Sequence, residues 1–146
     1  MSGFVVDASI AIKWVVDEPG AKIAIQLLDH MLAAPDLLGP ECANILWKKV
    51  MRGELSPQEA EAMAAALTIT DLSLYPTRQH LQAAVAAAIA LRHLVYDCIY
   101  LCLAEQLALP LVTADMRLVE AVRSRLSRRF ADLVVPLGEL PRVLAE

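Results

Sequence analysis

Four acids in this 146-residue chain stand where carboxylates can do chemistry. Asp7 closes the apolar run Gly3-Phe4-Val5-Val6, Glu41 follows Pro40 at the head of a helical stretch, Asp97 opens a stretch that is apolar almost all round, and Asp115 follows Leu111-Val112-Thr113. Taken one at a time, each has an ordinary structural role available: Asp is a favoured N-cap, and an acid near a helix N-terminus gains about 0.3–1 kcal/mol from the helix dipole. Asp97 fits that role least well, because its neighbours are Leu94, Val95, Tyr96, Cys98, Ile99 and Tyr100. A lone carboxylate in such surroundings is desolvated at substantial cost or takes up a proton. The setting of Asp7 is similarly apolar. Two poorly solvated acids call for a shared reason, and a divalent cation supplies one. Carboxylate oxygens with no His or Cys partner select Mg²⁺ or Mn²⁺ over Zn²⁺. Such ions polarise phosphoryl oxygens and activate water.

The elements that must position these acids alternate between strand and helix. Gly3 to Val6 reads as a short strand apolar at every position, as in parallel strands covered on both faces. Ser9 to Val16 reads as a short helix, Asp17-Glu18-Pro19-Gly20 as a turn, and Ala21 to Leu32 as a helix with Ile25, Leu28 and Leu32 on one face. A second strand is expected over Pro35 to Leu38, followed by a helix opened by Pro40-Glu41 and ended by Gly53. Ser56-Pro57-Gln58-Glu59 carries a capped helix start. Ile69 to Leu74 is expected as a strand and Thr77 to Arg92 as a long Ala-rich helix. Asp97 to Leu107 is expected as a buried helix, Leu109 to Thr113 as a strand, Asp115 to Arg125 as a helix and Leu133 to Val135 as a last strand. The pattern predicts an α/β sandwich with a parallel sheet. In such sheets ligands bind beyond the carboxyl ends of the strands. Asp7, Glu41 and Asp115 follow three of those ends, and Asp97 reaches the same rim if its helix starts there.

Composition bounds the reading. At 58% hydrophobic and 21% charged, the chain can bury a core, and its length suits one domain over residues 1–146. The three cysteines, Cys42, Cys98 and Cys102, form no CxxC pair and fit buried free thiols in a reducing compartment. No run reaches the roughly 18 apolar residues of a membrane span. Phe4 to Val16 lacks a preceding basic region and is interrupted by Asp7 and Lys13, so a cytoplasmic chain with no membrane partner is expected. The net charge of −4 is not that of a protein that coats nucleic acid, and it counts against a nuclease without excluding one. Asp7 has no second acid two residues on, as a phosphatase of the haloacid dehalogenase type needs, and no GxxxxGK[ST] run is present for a P-loop NTPase.

Val5-Val6-Asp7-Ala8-Ser9, Glu41-Cys42-Ala43-Asn44, Tyr96-Asp97 before an apolar helix, and Thr113-Ala114-Asp115-Met116-Arg117-Leu118 together resemble the PIN domain, with the VapC-type toxins of toxin–antitoxin pairs as the nearest pattern. The resemblance runs from Val5 to Val135. It implies a PIN-like three-layer sandwich, with a short parallel sheet of four or five strands between helices. It implies a metal-dependent endoribonuclease using Mg²⁺ or Mn²⁺, which cleaves an RNA phosphodiester to leave a 5′-phosphate and a 3′-hydroxyl. Asp7 and Asp97 match the positions most directly tied to the metal. Asp115 matches the third Asp, and Glu41 the acid on the helix after the second strand, binding directly or through water. Ser9 and Thr113 match hydroxyls that orient the acids or bind the metal's water, and Asn44 lies one turn after Glu41 on the same face. The resemblance further implies a homodimer and a cognate antitoxin whose amphipathic helix lies in a groove near the site. A PIN-like binding scaffold that cleaves nothing, or a nuclease acting on another nucleic acid in RNA processing, stands as the alternative.

Other residues carry weaker signals. Arg117, Arg123, Arg125, Arg128 and Arg129 fit an RNA-backbone patch, a solvated helix face or an antitoxin-binding edge, and Arg117, close after Asp115, is the best placed to meet a phosphate. Trp14 and Trp47 are expected in the core or an interface rather than stacked on a base. Lys48, Lys49 and Arg52 read as a solvated face. His30, His80 and His93 show no metal-site spacing and are expected at the surface or at helix ends. The Ala-rich helix from Leu81 to Leu91 points to a buried face between two copies of the chain.

Overall fold

A computed structural model describes residues 3–125 and 129–146, apart from the side chain of residue 125. Its centre is a parallel sheet of five strands: β1 (Gly3–Val6), β2 (Met31–Pro35), β3 (Ser73–Tyr75), β4 (Leu111–Thr113) and β5 (Val134–Pro136), in the order β3-β2-β1-β4-β5. Phe4 pairs with Leu32 and Val5 with Ala33 on one side of β1, and Val6 pairs with Val112 on the other. Strand order reverses direction at β1, between β2 and β4. A crevice therefore opens beyond the carboxyl ends of β1 and β4, the place where open α/β sheets bind ligands.

The sheet is buried on both faces because successive side chains of β1 point opposite ways. Val5 faces a core built with Ala33, Leu111 and Val134 of the sheet and with α3 (Leu38–Met51), α5 (Leu81–Leu91), α6 (Val95–Leu107) and α7 (Met116–Arg125). Phe4 and Val6 face the opposite core, where Ile10 of α1 (Ala8–Ala11), Ala24 of α2 (Ala21–Ile25) and Leu140 of α8 (Leu140–Ala145) pack with Leu32 and Val112. This gives the three layers expected. A smaller cluster joins Ile12, Val16 and Leu46 to α4 (Pro57–Thr68). The capping box expected at Ser56 and Glu59 forms in full: each side chain takes the other's backbone N–H, at 3.1 and 2.9 Å. In α6 every residue from Cys98 to Ala104 is buried, because the helix is held between α5 and strands β1 and β2. Among the described residues no single helix is long and apolar enough to cross a membrane.

Several boundaries differ from those expected. The second strand runs Met31–Pro35, not Pro35 to Leu38, and the helix before it stops at Ile25, followed by a 3-10 turn over Gln26–Asp29. Pairing on both edges of β2 claims Leu32, Ala33 and Ala34 for the interior, whereas Ile25 and Leu28, the expected inward face, are exposed. The helix carrying Glu41 accordingly begins at Leu38, and Pro40 lies within its first turn, where its missing N–H is still harmless. The third strand covers only Ser73–Tyr75, and Ile69 is outside it and exposed. The helix expected from Thr77 begins at Leu81, after a 3-10 turn over Thr77–His80. The stretch expected as helix from Ser9 to Val16 is divided between α1 and a 3-10 turn, Ile12–Trp14, and α8 lies beyond the last expected element.

Leu101, with no exposed surface at the middle of α6, tests this packing. Leu101→Ala is expected to cost about 2–5 kcal/mol of unfolding free energy, as cavity-forming substitutions in tight cores do. Urea denaturation would read it, and a loss below about 1 kcal/mol would mean that α6 is not the packed centre.

Candidate active site

The crevice beyond β1 and β4 is built around Asp7, one of only three buried polar or charged side chains among the described residues. Asp7 is the N-cap of α1, and its Oδ1 accepts the Ile10 N–H at 3.3 Å. The Ser9 hydroxyl donates to the same oxygen at 2.5 Å, and the Thr113 hydroxyl donates to Oδ2 at 2.5 Å. Each hydroxyl is fixed in turn by the β4 end: Ser9 Oγ accepts the Ala114 N–H at 2.9 Å, and Thr113 Oγ1 accepts the Asp115 N–H at 3.0 Å. The sequence-expected orienting residues Ser9 and Thr113 are thus where the carboxylate needs them. Burial nevertheless dominates and pushes the Asp7 carboxyl up to about 7, against the pull of the two hydroxyls and with the Asp97 charge adding to it.

Asp97 lies in the first turn of α6, two residues inside its start, so it is not the helix cap; Leu94 holds that position and offers no side-chain cap. Burial raises the Asp97 carboxyl above its ordinary range, and the Asp115 charge raises it further. The hydrogen bond and charge of His93, and the charge of Arg117, oppose that rise. Glu41 is also raised, first by burial and then by Asp97, against a hydrogen bond that the Tyr100 hydroxyl donates to its Oε1 at 2.6 Å. Asp97 therefore feels or imposes charge at each of the other three acids, and the four expected residues form one electrostatic cluster with Asp97 at its middle. Asp115 does double duty, since its Oδ1 also accepts the Arg117 N–H at 3.0 Å and caps α7.

An open cleft of about 440 Å³ leads to this cluster, lined by Arg92, His93, Asp97, Asp115 and Arg117, with Ala88, Ile89 and Leu94 as its apolar wall. A second concavity of about 430 Å³ lies between Trp14, α3 and α4 and is lined mainly by apolar groups. Cys42, its one titratable lining residue, has a thiol that burial pushes up to about 12, so that wall offers no nucleophile.

Not every expected residue joins the site. Asn44 is exposed on α3 and takes no part in the network. Of the described side chains in the arginine group, only Arg117 lines the cleft; Arg123 pairs with Glu139 at 3.0 Å, and Arg129 makes a two-pronged pair with Glu105 at 2.7 Å and lies over the Phe130 ring. Arg128 and the side chain of Arg125 lie outside the described residues. Trp14 is half-buried and donates its indole N–H to Ala24 O at 3.0 Å, as a core residue would, whereas Trp47 is exposed, which excludes the core for it.

Two residues went unseen in the sequence. His93, expected as a helix-end residue, sets Nε2 at 2.6 Å from Asp97 Oδ2, and one ligand atom from each of His93, Asp97 and Asp115 falls within 4.8 Å of the others. Tyr100 is fully buried and donates its hydroxyl to Glu41; burial first, and the Glu41 carboxylate after it, drives the Tyr100 pKa well above the ordinary tyrosine value. A signal for Tyr100 existed: a tyrosine in an all-apolar helix needs a partner for its hydroxyl, and Asp97 one turn earlier marked the face.

The PIN domain family model matches residues 4–123. Ribonuclease VapC3 of Pyrobaculum aerophilum is 35% identical over 139 residues, covering 90% of this chain and 98% of its own. Ribonuclease VapC1 of Mycobacterium tuberculosis is 32% identical over 125 residues, covering 83% and 92%. The crystal structure of PAE2754 from Pyrobaculum aerophilum has the same fold, with a TM-score of 0.68, 22% identity and coverage of 99% of this chain and 97% of that one.

The raised Asp7 carboxyl gives a pH test on metal-free protein. The folded state keeps a proton that the unfolded chain releases near 3.8, so this stabilisation is fully present below that pH and is lost as pH rises through about 7. At about 1.4 kcal/mol per pKa unit, wild type should lose up to about 4 kcal/mol relative to Asp7→Asn across that window. Denaturant midpoints at a series of pH values would measure the difference; parallel profiles would show Asp7 already ionised in the fold.

Proposed function

Since this chain belongs to the PIN-domain family, we propose that it is a VapC-type endoribonuclease, the toxin of a toxin–antitoxin pair, working as a single PIN-like domain over residues 1–146 in the cytoplasm. One observation carries the reading. Asp7 is buried at the sheet's switch point, clamped by two hydroxyls, and belongs to an acid cluster in which burial first, and the charge of neighbouring acids second, raises the pKa values of Asp7, Glu41 and Asp97. Such a cluster is costly by itself: two like charges about 4 Å apart repel by about 4 kcal/mol at an effective dielectric near 20.

The donor set fits a hard divalent cation, Mg²⁺ or Mn²⁺. Asp7, Asp97 and Asp115 would hold it, with Glu41 binding directly or through water. When bound, the ion supplies Lewis-acid polarisation of a phosphoryl oxygen and eases deprotonation of water. The chain's own groups do the rest. Ser9 and Thr113 occupy both Asp7 oxygens with O–H donors and fix the carboxylate's orientation, while Tyr100 holds Glu41 by one oxygen and leaves the other free of that bond. Arg117, exposed at the cleft wall, is placed to meet a phosphate of the RNA. In the overall reaction water adds to phosphorus and the bond to the 3′-oxygen breaks, leaving a 5′-phosphate and a 3′-hydroxyl.

The partners proposed are RNA, a cognate antitoxin and a second copy of this chain. Leu81, Val85 and Ile89 form an exposed apolar stripe at helical spacing on α5, which supports the homodimer, and the apolar concavity beside α3 and α4 suits an amphipathic antitoxin helix.

Purified protein incubated with a pool of single-stranded and transfer RNA is expected to cleave with Mn²⁺ or Mg²⁺, to stop with EDTA, and to be inactive as Asp97→Asn. Wild type should also gain thermal stability on adding either ion, and the variant less, because a ligand that binds only the folded state stabilises it. Cleavage that survives EDTA or the substitution would sink the assignment. Metal-induced stabilisation without cleavage of any RNA would favour the binding scaffold instead.

A further inference from the structure

The turn between α5 and α6 delivers an imidazole to the acid cluster. Arg92 ends α5 in the left-handed region at φ 53, a conformation that costs a non-glycine residue about 1 kcal/mol or more and that collects at functional sites. The two helical segments, Thr77–Leu91 and Val95–Leu107, meet there at 115°. The His93 backbone N–H donates to Ala88 O at 3.2 Å, which fixes the residue at the bend, and its ring is largely buried against Asp97. The cleft wall continues past His93 to Arg92 and Arg117.

We propose that His93 is a nitrogen ligand of the metal centre, sharing one cation with Asp97 and Asp115, and that this donor makes the site favour Mn²⁺ over Mg²⁺. The inference rests on the reading of the acids as a metal centre. Its geometric basis is the closeness of three ligand atoms, all within 4.8 Å of one another. Ligands of one small divalent ion stand about 2.1 Å from it, so adjacent ligands are about 3 Å apart and opposite ones about 4.2 Å, and the three heads must draw in slightly to share one ion. The 2.6 Å contact between His93 Nε2 and Asp97 Oδ2 is a hydrogen-bond spacing, and the two heads need part by only a few tenths of an ångström to stand as adjacent ligands. A proton bridges that pair in the metal-free protein, and a cation would take its place between the two heads. The chemical consequence follows from donor type. All-oxygen cages suit Mg²⁺, whereas an imidazole nitrogen is a softer donor that first-row transition ions bind better.

The deciding measurement is pulsed electron paramagnetic resonance of tag-free, metal-stripped full-length protein loaded with Mn²⁺. Wild type is expected to show the ¹⁴N modulation of a coordinated imidazole, and His93→Gln to lack it. The variant should also bind Mn²⁺ about tenfold or more weakly, with a smaller loss for Mg²⁺. Tightly bound Mn²⁺ without nitrogen modulation in wild type would overturn the proposal and leave His93 as a hydrogen-bond partner that orients Asp97. Modulation that persists in His93→Gln would overturn it equally. If Asp97→Asn binds Mn²⁺ as well as wild type does, the metal-centre reading itself falls, and that result is distinct from either of the others.

Discussion

The arrangement depends on a carboxylate held in the wrong solvent. Asp7 caps α1 from a buried position, and among the described residues the pair of hydroxyls on its two oxygens is the compensation it receives beside one long backbone contact. Those hydroxyls come from segments far apart in the chain: Ser9 lies in α1 just after β1, and Thr113 ends β4, more than a hundred residues later. The Val5–Leu111 and Val6–Val112 register of β1 and β4 brings them together. A slip of one residue in that pairing would turn Thr113 to the opposite face and leave the carboxylate unsatisfied. The sheet's register and the site's chemistry are therefore one constraint.

The second demand is to bring the remaining acids to the same rim without neutralising them. Helix α6 does this by being buried from Cys98 to Ala104 against α5, β1 and β2, which holds its half-buried first turn, and Asp97 with it, at the rim. Tyr100, one turn further on, reaches Glu41 of α3 and links the two helices across the mouth. Arg117 adds its charge to that of His93 in acting on Asp97, and it is exposed. Most other arginines of that region are committed to ion pairs on the chain's own surface, or lie outside the described residues. Even with Arg92 and Arg117 on the cleft wall, the four acids outnumber the arginines there, which suits a cation better than it suits a bare phosphate.

Much of this was legible in the residues. An apolar run ending in Asp states a buried strand with a carboxylate at its rim, because no solvated strand is apolar at every position. The run before Thr113-Ala114-Asp115 states the same for β4. The second strand was harder to place: Ile25, Leu28 and Leu32 fit a helical face, and only pairing with β1 and β3 shows that Leu32, Ala33 and Ala34 belong to the sheet. Short buried strands and buried helical turns share one composition, and periodicity cannot separate them.

The sequence alone determined the parallel α/β class, the acids at the strand and helix ends, and the hydroxyls beside them, since each follows from local pattern and from the cost of burying charge. Tertiary structure decided which of those groups meet. That Asp97 is central to the cluster, that Tyr100 holds Glu41, that Asn44 stays outside and that His93 lies 2.6 Å from Asp97 all depend on the crossing of α5 over α6 and on the register of β1 with β4. Those are angles and pairings set by the packing of whole elements, to which no single residue's neighbours along the chain are a guide.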